Sequence, residues 1–133
     1  MSEPILFDTS VWINFFQKRN NSQTELLKHY LAEDKLICIC PPIIQELLQG
    51  CKNKLQFDQL DFDLRQLILL DCGHYWASHE AARIYFDLRK SGITIRKPND
   101  CLIAWYALEY RINLCHNDSD FELIKAGFEI KTI

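Results

Sequence analysis

Short apolar runs alternate along the chain with longer segments in which apolar residues recur at helical spacing. This alternation strongly limits the folds that the chain can adopt. Residues 5–7 and 36–40 are too short for helices and fit buried strands. Further strands are predicted at 68–71, 112–115 and 128–132, and helices from residue 9 and at 22–33, 41–50, 55–67, 77–90, 99–110 and 118–125. Strands that alternate with helices predict an α/β fold with a largely parallel sheet.

Length and composition are those of an ordinary globular chain. Residues 1–133 fit one domain, since no repeat, linker or low-complexity tract divides them. Apolar residues make up 48% and charged residues 25%, and the apolar runs are too short to span a bilayer. The first four residues lack the basic and apolar regions of an export signal, so a cytoplasmic location is expected.

The six cysteines invite a search for zinc sites or disulfides. They stand at Cys38, Cys40, Cys51, Cys72, Cys101 and Cys115, without a CxxC pair or a histidine at zinc-finger spacing. Cysteine in an apolar run behaves as a small hydrophobic residue. We therefore expect free thiols in a reducing compartment.

The net charge of −3 is unusual for a nucleic-acid-binding protein, which commonly carries a basic face. The cations nevertheless occur in pairs near the ends of predicted elements, at Lys18-Arg19, Arg89-Lys90 and Arg96-Lys97. Such pairs could surround an acidic centre and contact phosphates, or could simply be solvated helix ends. The sequence leaves both interpretations open.

Two acidic residues follow predicted strands. Asp8 comes after the strand at 5–7, and Asp118 comes shortly after the strand at 112–115. Ligands of open parallel sheets bind beyond the carboxyl ends of the strands. If these two strands are parallel neighbours, both carboxylates lie at the same edge of the sheet.

Two further acids belong to predicted helices. Asp100 stands at the start of an apolar helix, where the helix dipole favours an anion, and it shares a face with the small residues Ala104 and Ala107. Glu46 lies at the border of an apolar stripe, one turn before Gly50. Both positions allow the carboxylate to reach a cleft.

Taken singly, each acid has a simpler explanation, because aspartate commonly caps helices or turns and a glutamate at a stripe edge is commonly exposed. Together they predict a cation site. Two carboxylates 4 Å apart repel by about 4 kcal/mol at an effective dielectric of about 20. Oxygen ligands favour Mg²⁺ or Mn²⁺, which polarises a phosphate and lowers the pKa of a bound water.

Four segments resemble the acidic motifs of PIN domains, especially the VapC toxins of bacterial toxin–antitoxin pairs. They are Asp8–Trp12, Glu46–Gly50, Asn99–Ala107 and Asn117–Phe121, followed by Ala126-Gly127-Phe128. The similarity covers nearly the whole chain, with the motifs in the expected order and spacing. It implies a three-layer α/β/α fold with a central, mostly parallel sheet.

The resemblance also implies a function, namely a Mg²⁺- or Mn²⁺-dependent endoribonuclease, with tRNA among the suggested targets. It implies a VapB-like antitoxin as partner and a homodimer. The catalytic and metal-binding residues carried over are Asp8, Glu46, Asp100 and Asp118, supported by Ser10, Asn117 and Asp120. The candidates for RNA contact are Lys18, Arg19, Arg96 and Lys97.

Three alternatives remain at this point. One is a housekeeping PIN nuclease of RNA maturation, and another is a catalytically silent PIN-like module that only binds RNA or protein. The third, a phospho-acceptor domain, needs adjacent acids after its first strand and a lysine after its last one. Here a single acid follows residues 5–7 and no lysine directly follows 112–115, which argues against it.

Overall fold

A computed structural model describes residues 2–133 of the chain. Within this range, four strands and seven helices follow one another along the sequence. They are β1 (Ile5–Phe7), α1 (Thr9–Phe16), α2 (Ser22–Ala32), β2 (Ile37–Ile39), α3 (Pro41–Gln49), α4 (Lys54–Leu64), β3 (Ile68–Leu69), α5 (His74–Lys90), α6 (Asn99–Tyr110), β4 (Asn113–Cys115) and α7 (Ser119–Lys125).

The strands form one sheet in the order β3-β2-β1-β4, and every pair is parallel. In β1, Ile5 is paired with Ile37 of β2 on one side and with Asn113 of β4 on the other. All three residues of β1 are buried, as expected for a central strand of a parallel sheet covered by helices. The predicted α/β fold is confirmed, and the carboxyl ends of β1 and β4 lie side by side.

The helix starts follow from capping side chains, with one correction. Asp8 caps α1 by accepting a hydrogen bond from the amide of Ser10, as its place before the helix suggested. The sequence Ser22-Gln23-Thr24-Glu25 has the pattern of a capping box and predicts that Ser22 and Glu25 form it, but the capping box of α2 is formed one residue earlier by Asn21 and Thr24. Asparagine caps a helix as well as serine does, so a run of adjacent capping residues does not reveal which of them caps the helix.

Three predicted boundaries are also corrected. The helix predicted at 55–67 ends at Leu64, and the strand predicted at 68–71 ends at Leu69. The helix predicted from residue 77 begins at His74, after Gly73, which provides no capping side chain as a signal.

The strand predicted at 128–132 forms only an isolated bridge between Thr132 and Leu114. Its apolar alternation reflects the burial of Ile130 against the core rather than a full ladder.

Helix α6 lies in the core. Its small residues Ala104 and Ala107 are almost fully buried, which allows close packing and carries Asp100 inward. The cysteines of the described residues are free thiols, and burial raises the pKa of Cys101 to about 11 and that of Cys115 to about 12. No helix within residues 2–133 is both long and apolar enough to cross a bilayer.

Candidate active site

Asp8 stands where β1 passes into α1, at the carboxyl edge of the sheet. Its amide donates to the carbonyl of Cys115 over 2.9 Å, which extends the β1–β4 pairing by one residue. Its Oδ2 accepts hydrogen bonds from the amide of Ser10 over 3.0 Å and from Ser10 Oγ over 2.5 Å. Ser10 Oγ in turn accepts from the amide of Asn117 over 3.0 Å. The ends of both strands are therefore tied together through one hydroxyl.

Asp118 caps α7, the short helix that follows β4. Its Oδ1 accepts from the amide of Asp120 over 3.0 Å, and its own amide donates to His116 Nδ1 over 3.2 Å. Because His116 Nδ1 is the acceptor here, Nε2 carries the proton and donates to Glu122 Oε1 over 3.2 Å. His116 therefore positions Asp118 through the backbone, and the supporting role expected of Asn117 stays a prediction.

Asp100 lies in the first turn of α6 and is only 3% exposed. The simpler explanation, that Asp100 caps this helix, does not apply, because the helix begins at Asn99 after Pro98 and has no side-chain cap. Its carboxylate faces inward instead. Among residues 2–133, no group donates a hydrogen bond to Asp100 Oδ2 or to Asp8 Oδ1, although both atoms are buried.

Glu46 lies on α3 and is half-buried, as its place at the edge of the apolar stripe predicted. Its Oε1 accepts a hydrogen bond from Thr9 Oγ1 over 3.2 Å, which joins α3 to the start of α1. Sequence reasoning missed Thr9. The available signal was its place between Asp8 and Ser10 at a strand end, but nothing local indicates a partner 37 positions away.

A cleft of about 350 Å³ collects most of these groups, and its lining comprises Asp8, Thr9, Ser10, Ile13, Asn14, Arg19, Glu46, Lys97, Asp100 and Asn117. Asp118 and Asp120 adjoin it, because one oxygen from each comes within 4.8 Å of an oxygen of Asp100. The four predicted acids are thus brought together. Of the four candidate cations, Arg19 and Lys97 line the cleft, while Lys18 and Arg96 are exposed outside its lining.

Lys97 is the nearest cation to the acids. Its ammonium group contacts Asp118 Oδ2, and its amide donates to Asp120 Oδ2 over 3.1 Å. Burial raises the pKa of Asp118, but the hydrogen bonds from Lys97 and the Asp120 amide outweigh it, so the pKa lies below its usual value.

The acids on the other side of the cleft behave in the opposite way. Burial raises the pKa of Asp8 and of Glu46 despite their hydrogen bonds from Ser10 and Thr9. Burial and the nearby charges of Asp8 and Asp118 raise the pKa of Asp100 to about 8. The carboxylates of Asp8, Glu46 and Asp100 therefore have too little positive charge nearby to offset their burial.

The donor set fits a hard divalent cation. It consists of carboxylate oxygens, which Mg²⁺ and Mn²⁺ prefer to nitrogen or sulfur. The free oxygens Asp8 Oδ1 and Asp100 Oδ2 belong to side chains more than nine-tenths buried, where an anion without a partner is costly. The acidic cluster is therefore capable of binding a metal ion.

Comparison with known proteins agrees with the fold and the site. Residues 5–127 match the PIN domain. VapC ribonuclease Mb1587 of Mycobacterium bovis and ribonuclease VapC11 of Mycobacterium tuberculosis are each 32% identical to the chain over 121 residues, which is 90% of the chain and 90% of each relative.

Solved structures of low sequence identity share the same fold. VapBC2 of Rickettsia felis, bound to a DNA fragment from its promoter, superposes with a TM-score of 0.74 at 22% identity over 98% of this chain and 97% of that one. VapBC-1 of nontypeable Haemophilus influenzae gives 0.73 at 19% identity over 98% and 96%.

The parallel sheet and the acidic cleft at its carboxyl edge are thus those of a PIN-domain protein. The chain belongs to the PIN-domain family and, within it, to the VapC-type ribonucleases. The resemblance to VapC toxins noted in the sequence is confirmed.

Proposed function

We propose that this VapC-type ribonuclease is an endoribonuclease that hydrolyses RNA phosphodiesters with Mg²⁺ or Mn²⁺ in the cleft between Asp8, Glu46 and Asp100. The observation that carries the proposal is the pair of buried oxygens, Asp8 Oδ1 and Asp100 Oδ2, for which residues 2–133 offer no hydrogen-bond donor. A fold that keeps two such carboxyl groups together must either protonate one of them or bind a cation between them, and the cation is the function that we propose.

In the proposed site, Asp8 and Asp100 hold the ion directly, and Glu46 holds it directly or through water. A divalent ion bound there supplies a Lewis acid that polarises the scissile phosphate and lowers the pKa of a bound water. Ser10 and Thr9 keep the carboxylates of Asp8 and Glu46 in place through their hydroxyl groups. Such supporting hydrogen bonds are commonly needed for full metal affinity.

We propose that Arg19, on the wall of the cleft, binds a phosphate group of the RNA. This side chain is exposed, lies in the cleft lining and donates from Nη1 to Oδ1 of Asn14, another residue of the lining, over 3.4 Å. Arginine suits this task because its planar donors match phosphate oxygens. The exposed residues Lys18 and Arg96 remain candidates for more distant contacts.

Replacement of Asp8 by Asn tests the assignment of the site. Asn is an equally good helix cap, so α1 should persist while the charge is lost. We expect no measurable cleavage of RNA by Asp8→Asn, with a circular dichroism spectrum and melting profile that indicate an intact fold. Asp58→Asn on the exposed face of α4 is the matched control and should cleave normally. Wild-type cleavage by Asp8→Asn would overturn the proposal.

We further propose that the chain is the toxin of a pair and binds a VapB-like antitoxin. Helix α4 supports this, because it leaves three large apolar side chains exposed, Leu55 at 80%, Phe57 at 42% and Phe62 at 63%. Apolar surface of this kind commonly marks a protein interface. An arginine from the tail of the antitoxin would compete for the same carboxylates as the metal ion.

Co-expression with the product of a neighbouring gene tests this partner. A stable complex that protects RNA from cleavage is expected, and Phe62→Asp should weaken it without affecting cleavage by the free chain. A complex of unchanged strength would contradict the assignment of α4.

A homodimer is proposed as well. On α5, the side chains of Tyr75, Trp76 and Phe86 are at least half exposed and provide a second apolar face. Light scattering of the purified chain should give twice the mass of one chain. A monomer at micromolar concentration would contradict this.

A further inference from the structure

Lys97 reaches the acidic cluster with two separate donors. It lies in the segment between α5 and α6, and its ammonium group contacts Asp118 Oδ2. Its backbone amide donates to Asp120 Oδ2 over 3.1 Å. The backbone contact fixes the position of the residue, and its half-exposed side chain reaches Asp118 from there.

The carboxylate oxygens of the cluster fall into two groups according to their donors. At one end, Asp118 Oδ1 accepts from the Asp120 amide and Asp118 Oδ2 from Lys97, while Asp120 Oδ2 accepts from the Lys97 amide. At the other end, within the described residues 2–133, Asp8 Oδ1 and Asp100 Oδ2 accept from no group. The cluster thus already has a cation in contact with Asp118, whereas Asp8 Oδ1 and Asp100 Oδ2 have no hydrogen-bond donor among residues 2–133.

The Asp118 end could otherwise hold an ion of its own. Asp100, Asp118 and Asp120 present oxygens that all lie within 4.8 Å of one another, a spacing that suits a shared cation. Three carboxylates at this spacing repel one another strongly unless positive charge is present. The Lys97 ammonium provides such a charge, and a second divalent ion at the same place would have to displace it from Asp118.

We propose that Lys97 is a built-in monovalent cation at the Asp118 end of the cluster, and that this chain therefore binds one divalent ion, between Asp8 and Asp100, rather than two. Lys97 is in this sense a positioning residue, because it holds Asp118 and neutralises its charge. The inference rests on the proposed function, since it assumes that a divalent ion binds at Asp8 and Asp100.

The test counts the ions bound by the whole chain. Mn²⁺ is titrated into the protein, and the free ion is measured by electron paramagnetic resonance at equilibrium. Lys97→Met keeps the unbranched stem without the charge, and Lys97→Arg keeps the charge. Arg96→Met removes an adjacent exposed cation and is the matched control. We expect one Mn²⁺ per chain for the wild type, Lys97→Arg and Arg96→Met, and two for Lys97→Met.

The outcomes separate this inference from the proposed function. Two ions per wild-type chain would overturn the role of Lys97 and leave the metal-dependent site intact. One ion in a folded Lys97→Met, as judged by its melting profile, would also overturn it. No Mn²⁺ bound by the wild type would overturn the proposed metal site and the inference together. A wild-type count of two overturns the inference whatever the folding of the variants, and a count of one makes the comparison with folded Lys97→Met the deciding one.

Discussion

Two groups of carboxylates in this molecule have opposite electrostatic surroundings. On α5, the largely buried Glu80 accepts hydrogen bonds from the half-exposed Arg83 over 3.0 Å and 3.2 Å and contacts His79 Nδ1 at 3.0 Å, and Arg83 also reaches Asp87 at 3.5 Å. The hydrogen bond from Arg83 holds the pKa of Glu80 below its usual value. In the cleft, burial raises the pKa of Asp8, Glu46 and Asp100.

The difference lies in where the positive partners come from. On α5 the partners stand three or four residues apart on one helix, so local spacing provides each acid with a cation. In the cleft, the carboxylates come from separate segments and are held by Ser10, Thr9 and the sheet, while Asp8 and Asp100 remain short of positive charge. The number of clustered acids is therefore a poor indicator of a metal site. Carboxylates that the fold holds in place without nearby cations are a better indicator.

The largest expected effect is on the pH dependence of stability. The pKa of Asp100 is raised to about 8 in the folded chain, from a usual value of 3.8. Its stabilising contribution is therefore present at low pH and is lost as the pH rises through 8. Between pH 5 and pH 9 we expect the metal-free protein to lose on the order of 4 kcal/mol of unfolding free energy, measured by urea denaturation in chelator.

Two controls make this prediction specific to the cleft. Saturating Mg²⁺ should remove most of the decline, because the ion binds the deprotonated carboxylates and stabilises the folded state. Asp100→Asn should decline less than the wild type over the same range, because only the raised pKa values of Asp8 and Glu46 remain. It should also be more stable than the wild type at pH 9 in chelator and gain less stability from Mg²⁺. A metal-free wild type whose stability is constant or rises from pH 5 to pH 9 would contradict the prediction.

A smaller effect is expected from Ser10→Ala. Ser10 Oγ donates to Asp8 Oδ2 over 2.5 Å and accepts from the Asn117 amide over 3.0 Å, so its loss releases Asp8 from the end of β4. Supporting hydrogen bonds of this kind are commonly worth a tenfold to hundredfold change in metal affinity. We expect Mn²⁺ binding to weaken by about tenfold or more in calorimetric titration.

Ser22→Ala is the control for this variant. The hydroxyl group of Ser22 is at an exposed helix start and, among residues 2–133, donates a hydrogen bond only to Gln23 Oε1, over 3.2 Å. Its removal should leave the affinity for Mn²⁺ unchanged. Equal affinities for Ser10→Ala and the wild type would show that Asp8 is held without this hydroxyl.

Much of the fold and the place of the acids could be predicted, because both depend on local patterns. The apolar run at 5–7 and the acid that follows it are neighbours in sequence, and the same holds for 112–115 and Asp118. The parallel pairing of β1 and β4 then brings Asp8 and Asp118 to one edge. The extent of the domain over 1–133, the cytoplasmic location and the individual role of each site residue stay predictions.

The remainder could not be predicted, because it depends on contacts between distant residues. Thr9 meets Glu46 across 37 positions, and Lys97 meets Asp118 through a loop whose path no periodic pattern describes. From the sequence alone, Lys97 was a candidate for RNA contact no different from Arg96. Only tertiary structure separates a lysine beside a buried carboxylate from one in solvent.

The smallest effect is expected from Glu80→Gln on α5. The variant loses its ion pair with Arg83, but glutamine keeps a hydrogen-bonding group of the same shape, and the half-exposed Arg83 can turn to solvent, so the loss of stability is small. We expect the melting temperature to fall by about 2 °C or less near neutral pH, with unchanged cleavage and an unchanged response to Mg²⁺. Because the pKa of Glu80 is lowered, its contribution is lost on acidification, the reverse of Asp100. A Glu80→Gln variant with impaired cleavage would mean that the two groups of acids are coupled, and the contrast between them would no longer hold.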